Sequence, residues 1–436
     1  MIPWLAGLPA GIQALLVIAL LLCVAQLLVA IVLAISGGQA LVHQPPIGGE
    51  EHYLWVFLVP ALNEEVTIAD TVARLTALSV THRLFLIIDD GSSDGTASVL
   101  ASVAHPDLRV LRRQLPQAQQ GKGAALNHAW QTLHTQLLAE PDLAQLPAHR
   151  VLVTVVDADG RLDPDFAQSV AGHFADAEVG GVQLRVRIYN TWHLLARLQD
   201  VEFRVYSGLY QLGRSHWGTA GMGGNGQVNR LSALDDIAEA NGLSGAAVPW
   251  RDRLTEDQDL GISLLAAGWQ SRQEIRAAVH QQGLGNPRRL LRQRTRWAQG
   301  CIQAMRRIRV PLRASIPLAA KVEYVQWLMQ PLIQFYVGVM LFLTLGLAVW
   351  SRIDPLPMAQ PLLLALVLVL SLGGTWLGCV VSWTRNERHG WWRGLLWAMP
   401  YAGYSWFLTP VYLRAMVREL RGSTGWAKTE REPLRR

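Results

Sequence analysis

Residues 12–35 form an apolar run of about two dozen residues without a single charge. A helix needs about 20 apolar residues to cross a bilayer core, so this run is read as a membrane span. Everything after it must then fold against a membrane. No basic n-region precedes it and it is too long for the core of a signal peptide, which argues against cleavage. Two further runs, 325–350 and 361–383, have the same character. A last apolar segment, 391–416, contains Pro400 and Pro410. Basic residues flank it on both sides, with Arg385, Arg388 and Arg393 before it and Arg414, Arg418 and Arg421 after it. A spanning helix normally carries its basic excess on one side, so this segment is expected to be interfacial or re-entrant, with a third C-terminal span as the alternative. A catalytic domain and a basic tail that share the cytosolic side also require an even number of spans between them.

Composition supports an uneven chain. Of its 436 residues 50% are hydrophobic and only 17% charged, where a soluble protein carries about 25% charged. The apolar excess sits in the first 36 residues and beyond residue 325. The net charge is +6, and Arg crowds the last third. Basic charge beside apolar spans marks a cytosolic membrane face, and no basic run interleaved with aromatics points to nucleic acid. Cys23, Cys301 and Cys379 have neither metal nor redox spacing and are read as small apolar residues. The expected organisation is a spanning helix over 1–40, a globular domain over 50–300, and an interfacial helical region over 301–324. A membrane region over 325–418 and a basic cytosolic tail over 419–436 complete it.

Between the spans the pattern becomes strand–helix alternation. LWVFLVPAL (54–62), RLFLIIDDG (83–91), RVLRR (109–113) and RVLVTVVDADG (150–160) read as short buried parallel strands. Residues 67–78 and the segment after GSSDGT read as helices. The alternation predicts an α/β fold with a doubly wound, mostly parallel sheet, whose ligand site lies at the carboxyl ends of its strands.

Acidic residues gather at those ends. Asp89 and Asp90 open DDGSSDGT, and Asp157 and Asp159 form a D-x-D directly after an apolar strand. Two carboxylates so spaced can share a hard cation such as Mg²⁺ with the diphosphate that the cation neutralises. In TEDQDLGISLL (255–265) Asp257 sits beside Glu256 at the start of a helix, with Thr255 as expected N-cap. A carboxylate at the lip of a donor site can deprotonate an acceptor hydroxyl. QRTRW (293–297) joins Gln293, Arg296 and Trp297. Arg holds a diphosphate in bidentate fashion, and indole offers a flat apolar face to a sugar ring.

The order D, D, D, Q-x-x-R-W, with 35 residues (258–292) between Asp257 and Gln293, resembles the membrane-integrated glycosyltransferases of family 2. These include cellulose, chitin, hyaluronan and poly-N-acetylglucosamine synthases. The resemblance runs from about Val59 to Gln299. It implies a GT-A fold inserted between transmembrane helices, a UDP-sugar donor (UDP-glucose or UDP-N-acetylglucosamine), Mg²⁺ or Mn²⁺, and an inverting transfer. Residue by residue, Pro60, Asn63 and Glu64 resemble the strand-loop that shapes the uridine pocket. Asp90, with Asp89 beside it, resembles the aspartate next to uracil and ribose. Lys122, in GKGAALN, matches a basic residue near the nucleotide, and Asp157 and Asp159 resemble the metal and diphosphate ligands. Asp257 matches the general base, while Gln293, Arg296 and Trp297 match the diphosphate and acceptor motif. GMGGNGQ (221–227) falls where relatives cradle the acceptor, with Asn225 as the expected polar contact, and Glu256 is grouped with the acceptor residues. The tail GWAKTER (425–431) resembles the cytosolic end of several relatives. These features imply a multi-pass protein of the cell membrane with its catalytic domain in the cytosol, alone or with an accessory subunit or a second copy.

The resemblance favours a growing β-linked polysaccharide as acceptor. The small number of spans and the GGN loop favour a membrane lipid such as diacylglycerol, since glucolipid synthases carry similar motifs. An inactive subunit that only binds nucleotide sugar would lack an acidic position or the tryptophan, and all are present. A transporter would carry charge within its spans, and these carry none.

Overall fold

The computed structural model describes residues 8–141, 143, 145–350, 361–386 and 390–423. Arg388 and the GWAKTER tail lie outside the described residues. The strands are β1 (Leu54–Ala61), β2 (Arg83–Asp89), β3 (Leu108–Arg112), β4 (Val151–Val155), β5 (Arg161–Leu162), β6 (Val179–Ile188), β7 (Gln227–Arg230) and β8 (Gln270–Gln281). The helices of the N-terminal half are α1 (Ala10–Val42), α2 (Ile68–Thr76), α3 (Thr96–Ala101), α4 (Lys122–Thr132), α5 (Phe166–Ala171), α6 (Leu194–Val205) and α7 (Leu212–His216). Then come α8 (Leu231–Gly242), α9 (Glu256–Ala266), α10 (Pro287–Ala304), α11 (Arg309–Arg313), α12 (Leu318–Trp350), α13 (Pro361–Asn386), α14 (Trp391–Phe407) and α15 (Thr409–Leu420).

All the strands join one sheet in the order β3-β2-β1-β4-β7-β6-β8-β5. β1 pairs in parallel with β2 and β4, and β2 with β3, as the sequence pattern predicts. Beyond β4 the sheet is mixed: β7 runs antiparallel between β4 and β6, and β6 pairs in parallel with β8. The alternation along β1 shows why this half is buried on both faces. Trp55, Phe57 and Val59 pack with Phe85, Ile87 and Phe166 on one side. Leu54, Val56 and Leu58 pack with Leu86, Ile88, Leu126 and Ala129 on the other. Helices therefore cover both faces, and the polar ends of the strands are the surface left for a ligand. β3 departs from expectation. It is the sheet edge, and Arg109, Val110 and Arg112 are exposed, because no strand lies beyond it.

Among the described residues three helices are long and apolar enough to cross a membrane: Ala10–Val42, Leu318–Leu347 and Pro361–Arg385. Segment 391–416 is two helices, broken at Leu408. Pro410, in the first turn of α15, has no N–H to donate and so starts a helix readily but cannot continue one. At 17 and 12 residues both pieces fall short of the length a span needs. Helix α10 runs through to Ala304 and α12 starts at Leu318, so the expected boundaries at 300/301 and 324/325 fall inside helices.

The sheet domain rests directly on helices long enough and apolar enough to cross a membrane. A Cβ on Gly213 of α7 would lie 2.6 Å from Leu33 Cδ2 of α1, so glycine is what lets the two helices meet. Arg385, at the end of α13, donates to Gly208 O at 2.7 Å and to Ala34 O of α1. Gly208 belongs to a π-helical turn, Tyr206–Gln211. Such turns often mark functional sites, and this one faces the cavity described next.

Candidate active site

A cavity of ≈ 490 Å³ opens where β1, β2 and β4 end. Pro60 is the next-to-last residue of β1 and Glu64 follows that strand, Asp90 follows β2, and Asp157 and Asp159 follow β4. Lys122 enters from the first turn of α4, Asn225 from the loop before β7, and Glu256 and Asp257 from the first turn of α9. Gln293, Arg296 and Trp297, at i, i+3 and i+4 on α10, share one helix face and close the far side. All twelve line the cavity, although 237 positions separate the farthest of them in sequence, 60 and 297.

Two expected donor residues have a different place. Asn63, in the left-handed region at φ 53°, accepts from Ser93 N–H at 2.8 Å through its Oδ1 and donates its own N–H to Ser92 Oγ at 2.9 Å. It staples the two strand-end loops together. Asp89 is buried and caps the turn by accepting Ser92 N–H at 2.9 Å. Neither is among the residues lining the cavity, because turn geometry consumes their side chains. Thr255 is also a correction. It stands at the N-cap position of α9 without capping, since its hydroxyl donates to Gln258 Oε1 at 3.4 Å and its side chain packs on Gly300 of α10.

Charge in the site is organised around Lys122. Its ammonium donates to Asp157 Oδ1 at 2.6 Å and to Gly224 O at 2.9 Å, and stands 3.9 Å from Glu256 Oε1. Burial alone would lower its pKa, but Asp157, Glu256 and Asp257 outweigh burial and hold it above the usual lysine value. Burial raises both Glu256 and Asp257 above ordinary carboxylates. Their mutual repulsion adds to this at Glu256, and Lys122 pulls both back. Asp257 accepts Gln258 N–H at 2.8 Å on one oxygen and Gly224 N–H on the other, so backbone fixes its aim. Burial also raises Asp90, against the pull of Arg113, whose buried guanidinium bonds to it directly.

Asn225 ties the loop before β7 to the D-x-D. Its Oδ1 accepts Asp157 N–H at 3.1 Å, and its Nδ2 donates to Gln281 Oε1 at 3.2 Å. Asp159 Oδ2 accepts Gln282 N–H at 3.2 Å. Among the described residues no group of three or more His, Cys, Asp or Glu side chains converges as a metal cage. Asp157 and Asp159, two carboxylates at one strand end, nevertheless fit Mg²⁺ or Mn²⁺, which take oxygen donors and complete their shells with ligand oxygens and water. The Lys122 ammonium already rests on Asp157, so this carboxylate attracts cations.

The chain belongs to glycosyltransferase family 2. The model of "Glycosyl transferase family group 2" matches residues 152–420 and that of "Glycosyl transferase family 2" matches 56–237. The chain is 31% identical over 254 residues to a beta-monoglucosyldiacylglycerol synthase of Trichormus variabilis, covering 56% of this chain and 48% of that one. It is 26% identical over 261 residues to a poly-beta-1,6-N-acetyl-D-glucosamine synthase of Staphylococcus aureus, covering 59% and 57%. The matched region thus spans about half the length of these curated relatives. Among solved structures, the mannosyltransferase PcManGT of Pyrobaculum calidifontis, in complex with GDP-Man and Mn²⁺, superposes with a TM-score of 0.61 at 17% identity over 94% of this chain and 99% of that one. This likeness establishes the GT-A-like fold for the family 2 enzyme.

Several cavity residues escape sequence reasoning. Glu202, Phe203, Tyr206 and Tyr210 come from α6 and the π-helical turn, Trp327 from α12 and Tyr401 from α14. Glu202 is one carboxylate in an amphipathic helix. Trp327 and Tyr401 lie in segments whose apolar composition the sequence reading already assigns to a membrane.

Proposed function

We propose that this family 2 enzyme transfers a hexose from a UDP-sugar, with inversion, to a hydroxyl of a membrane lipid such as diacylglycerol. The carrying observation is the wall opposite the donor carboxylates, where Trp327, on a helix long and apolar enough to span, and Tyr401 line the same cavity as Asp257. An acceptor anchored in the bilayer would reach the base along that wall. The 31% identical relative that makes a glucolipid supports this reading.

Asp257 would take the proton of the acceptor hydroxyl. Burial raises its pKa above that of an ordinary carboxylate, which makes it a stronger base, and its two backbone bonds aim it without a rotamer search. The deprotonated hydroxyl attacks the anomeric carbon opposite the departing UDP, so an α-linked donor gives a β-linked product. Pro60, Glu64 and Asp90 would hold the uridine, and Lys122 and Arg296 would offset negative charge on the leaving diphosphate. A divalent cation bound at Asp157 and Asp159 would supply further neutralisation of that diphosphate. Trp297 would carry the sugar ring on its face.

The basic residues beside the spans favour a cytosolic catalytic domain at the cell membrane. Two spans after the domain would return the tail to the cytosol, with α14 and α15 lying at the interface.

A β-linked polysaccharide acceptor is the second reading, favoured by the Q-x-x-R-W face on α10 and the poly-N-acetylglucosamine synthase relative. Purified enzyme given labelled UDP-glucose or UDP-N-acetylglucosamine with diacylglycerol, followed by organic extraction, separates the two. Label in the organic phase is expected, and label confined to high-molecular-weight aqueous product would refute the lipid reading. Asp257→Asn should abolish transfer while binding UDP normally; near-normal turnover in that variant would remove Asp257 as base.

A further inference from the structure

Glu202 stands on the cavity wall beside Trp297 in a setting that indole stacking and donor binding leave unexplained. Its Oε2 accepts two bonds, from Arg294 Nη2 at 2.6 Å and from Tyr404 OH at 2.9 Å. Its Oε1 has no hydrogen-bond partner among the described residues, and the residue lines the cavity. Arg294, one residue after Gln293, reaches both sides of the acceptor motif. It donates to Gln293 Oε1 at 3.0 Å and lies 4.1 Å from the Trp297 ring centroid. Phe203 meets Trp297 edge-on at 6.3 Å. The Arg294 side chain is 6% exposed and that of Glu202 26%, so the guanidinium is sealed inside while its carboxylate partner keeps one edge towards the cavity. Three elements far apart in sequence, α6, α10 and α14, each supply one member.

We propose that Glu202 is an acceptor-binding residue. Its free Oε1 accepts a hydrogen bond from an acceptor hydroxyl next to the attacking one, while Oε2, pinned by Arg294 and Tyr404, locks the carboxylate in register with the Trp297 face. A buried ion pair is a poor source of net stability, whereas a carboxylate with one edge pinned and the other open is well made to read hydroxyls. The acceptor it fits is a vicinal diol or a sugar bearing adjacent hydroxyls, one held at Glu202 and one activated at Asp257. The inference rests on the transferase reading but holds for a glycolipid or a glycan acceptor.

The experiment uses full-length enzyme in detergent–lipid micelles with UDP-glucose as donor. Dioleoylglycerol, monoglucosyl-dioleoylglycerol and a β-linked gluco-oligosaccharide are supplied as acceptors. Glu202→Gln keeps an oxygen for Arg294 and Tyr404 but turns an amide towards the cavity. Glu202→Asp keeps the charge but withdraws the edge. For monoglucosyl-dioleoylglycerol or the gluco-oligosaccharide, whichever the wild type glycosylates, both variants should raise the acceptor KM about tenfold or more, the loss expected for one hydrogen bond to a charged group, whereas dioleoylglycerol, with its single hydroxyl, should show no such rise. The donor KM should move less than twofold. Tyr404→Phe should give the same split more weakly, because one of the two pins remains. An unchanged KM for the sugar acceptor, equal damage to donor and acceptor terms, or transfer to dioleoylglycerol alone would overturn the assignment of Glu202. Absence of transfer by the wild type to every acceptor would instead overturn the transferase reading on which it rests.

Discussion

Replacing Lys122 with methionine isolates the electrostatics of the site. The ammonium stands among three carboxylates, at 2.6 Å from Asp157 and 3.9 Å from Glu256, with Asp257 beyond. At an effective dielectric of about 20, one charge pair at 3.9 Å is worth about 4 kcal/mol. Removing one partner of a buried pair costs about 3–5 kcal/mol. The site is partly open, with side-chain exposures of 16% for Lys122 and 29% for Asp157, so about 3 kcal/mol at pH 8 is the working figure. The pH dependence follows from the pKa directions. The raised pKa of Lys122 means its stabilisation is complete below the unfolded lysine value, so it is constant between pH 5 and 8. The carboxylates change instead. Without Lys122 to pull them back, Glu256 and Asp257 rise further, and a raised carboxylate destabilises above its folded pKa and is relieved as pH falls through it. The gap between wild type and Lys122→Met should therefore be widest at pH 8 and shrink by half or more towards pH 5. At about 2–4 °C per kcal/mol the gap at pH 8 is about 6–12 °C in Tm. Thermal unfolding of metal-free enzyme in EDTA, at both pH values, measures it. A gap that stays constant with pH, or one that widens in acid, would show that Lys122 acts by packing and not by charge.

Two further substitutions test how loop and membrane helices hold the site. In Gly224→Ala the new Cβ would lie 2.9 Å from Lys122 Nζ and 3.1 Å from Asp257 Oδ2. It should push the ammonium off Asp157 and lower kcat about tenfold to a hundredfold, with a smaller loss of Tm than Lys122→Met, measured by initial rates and thermal unfolding together. Glu323→Gln breaks the buried pair in which Arg214 donates to Glu323 at 2.6 to 3.0 Å. It should cost about 3–5 kcal/mol. Arg214 also donates to Gln211 at 3.2 Å, and Gln211 holds both the N–H and the carbonyl of Gly221, so hydrogen exchange over 221–226 should quicken. Unchanged exchange there would mean that α12 does not brace the loop before β7.

The parallel half of the fold is legible because β1, β2 and β4 are short, branched and apolar on both faces, and each ends in a turn or an acidic pair. The mixed half is not. β7 has four residues, Gln227–Arg230, and three of them are polar. They are nonetheless buried, with Arg230 satisfying the carbonyls of Val179, His149 and Phe174. That pairing is visible only once the neighbours are in place. The site divides the same way. Carboxylates at strand ends can be read in advance, because topology puts the ends of β1, β2 and β4 side by side. What each carboxylate does depends on partners that topology alone does not supply. Asp89 and Asp90 are adjacent, yet one spends its side chain on a turn and the other faces the cavity. Glu256 and Asp257 are adjacent, yet only Asp257 meets Gly224 across the loop. Glu202 is the extreme case. In the sequence it is one acid on an amphipathic helix, where a solvated surface is the ordinary reading. Its chemistry comes from Arg294 and Tyr404, which are 92 and 202 positions away and lie in stretches read as a motif spacer and a membrane segment. Spacing can reveal residues that act on a ligand. Residues that act through a partner on another element become visible only when the packing shows which edge of the side chain is left open.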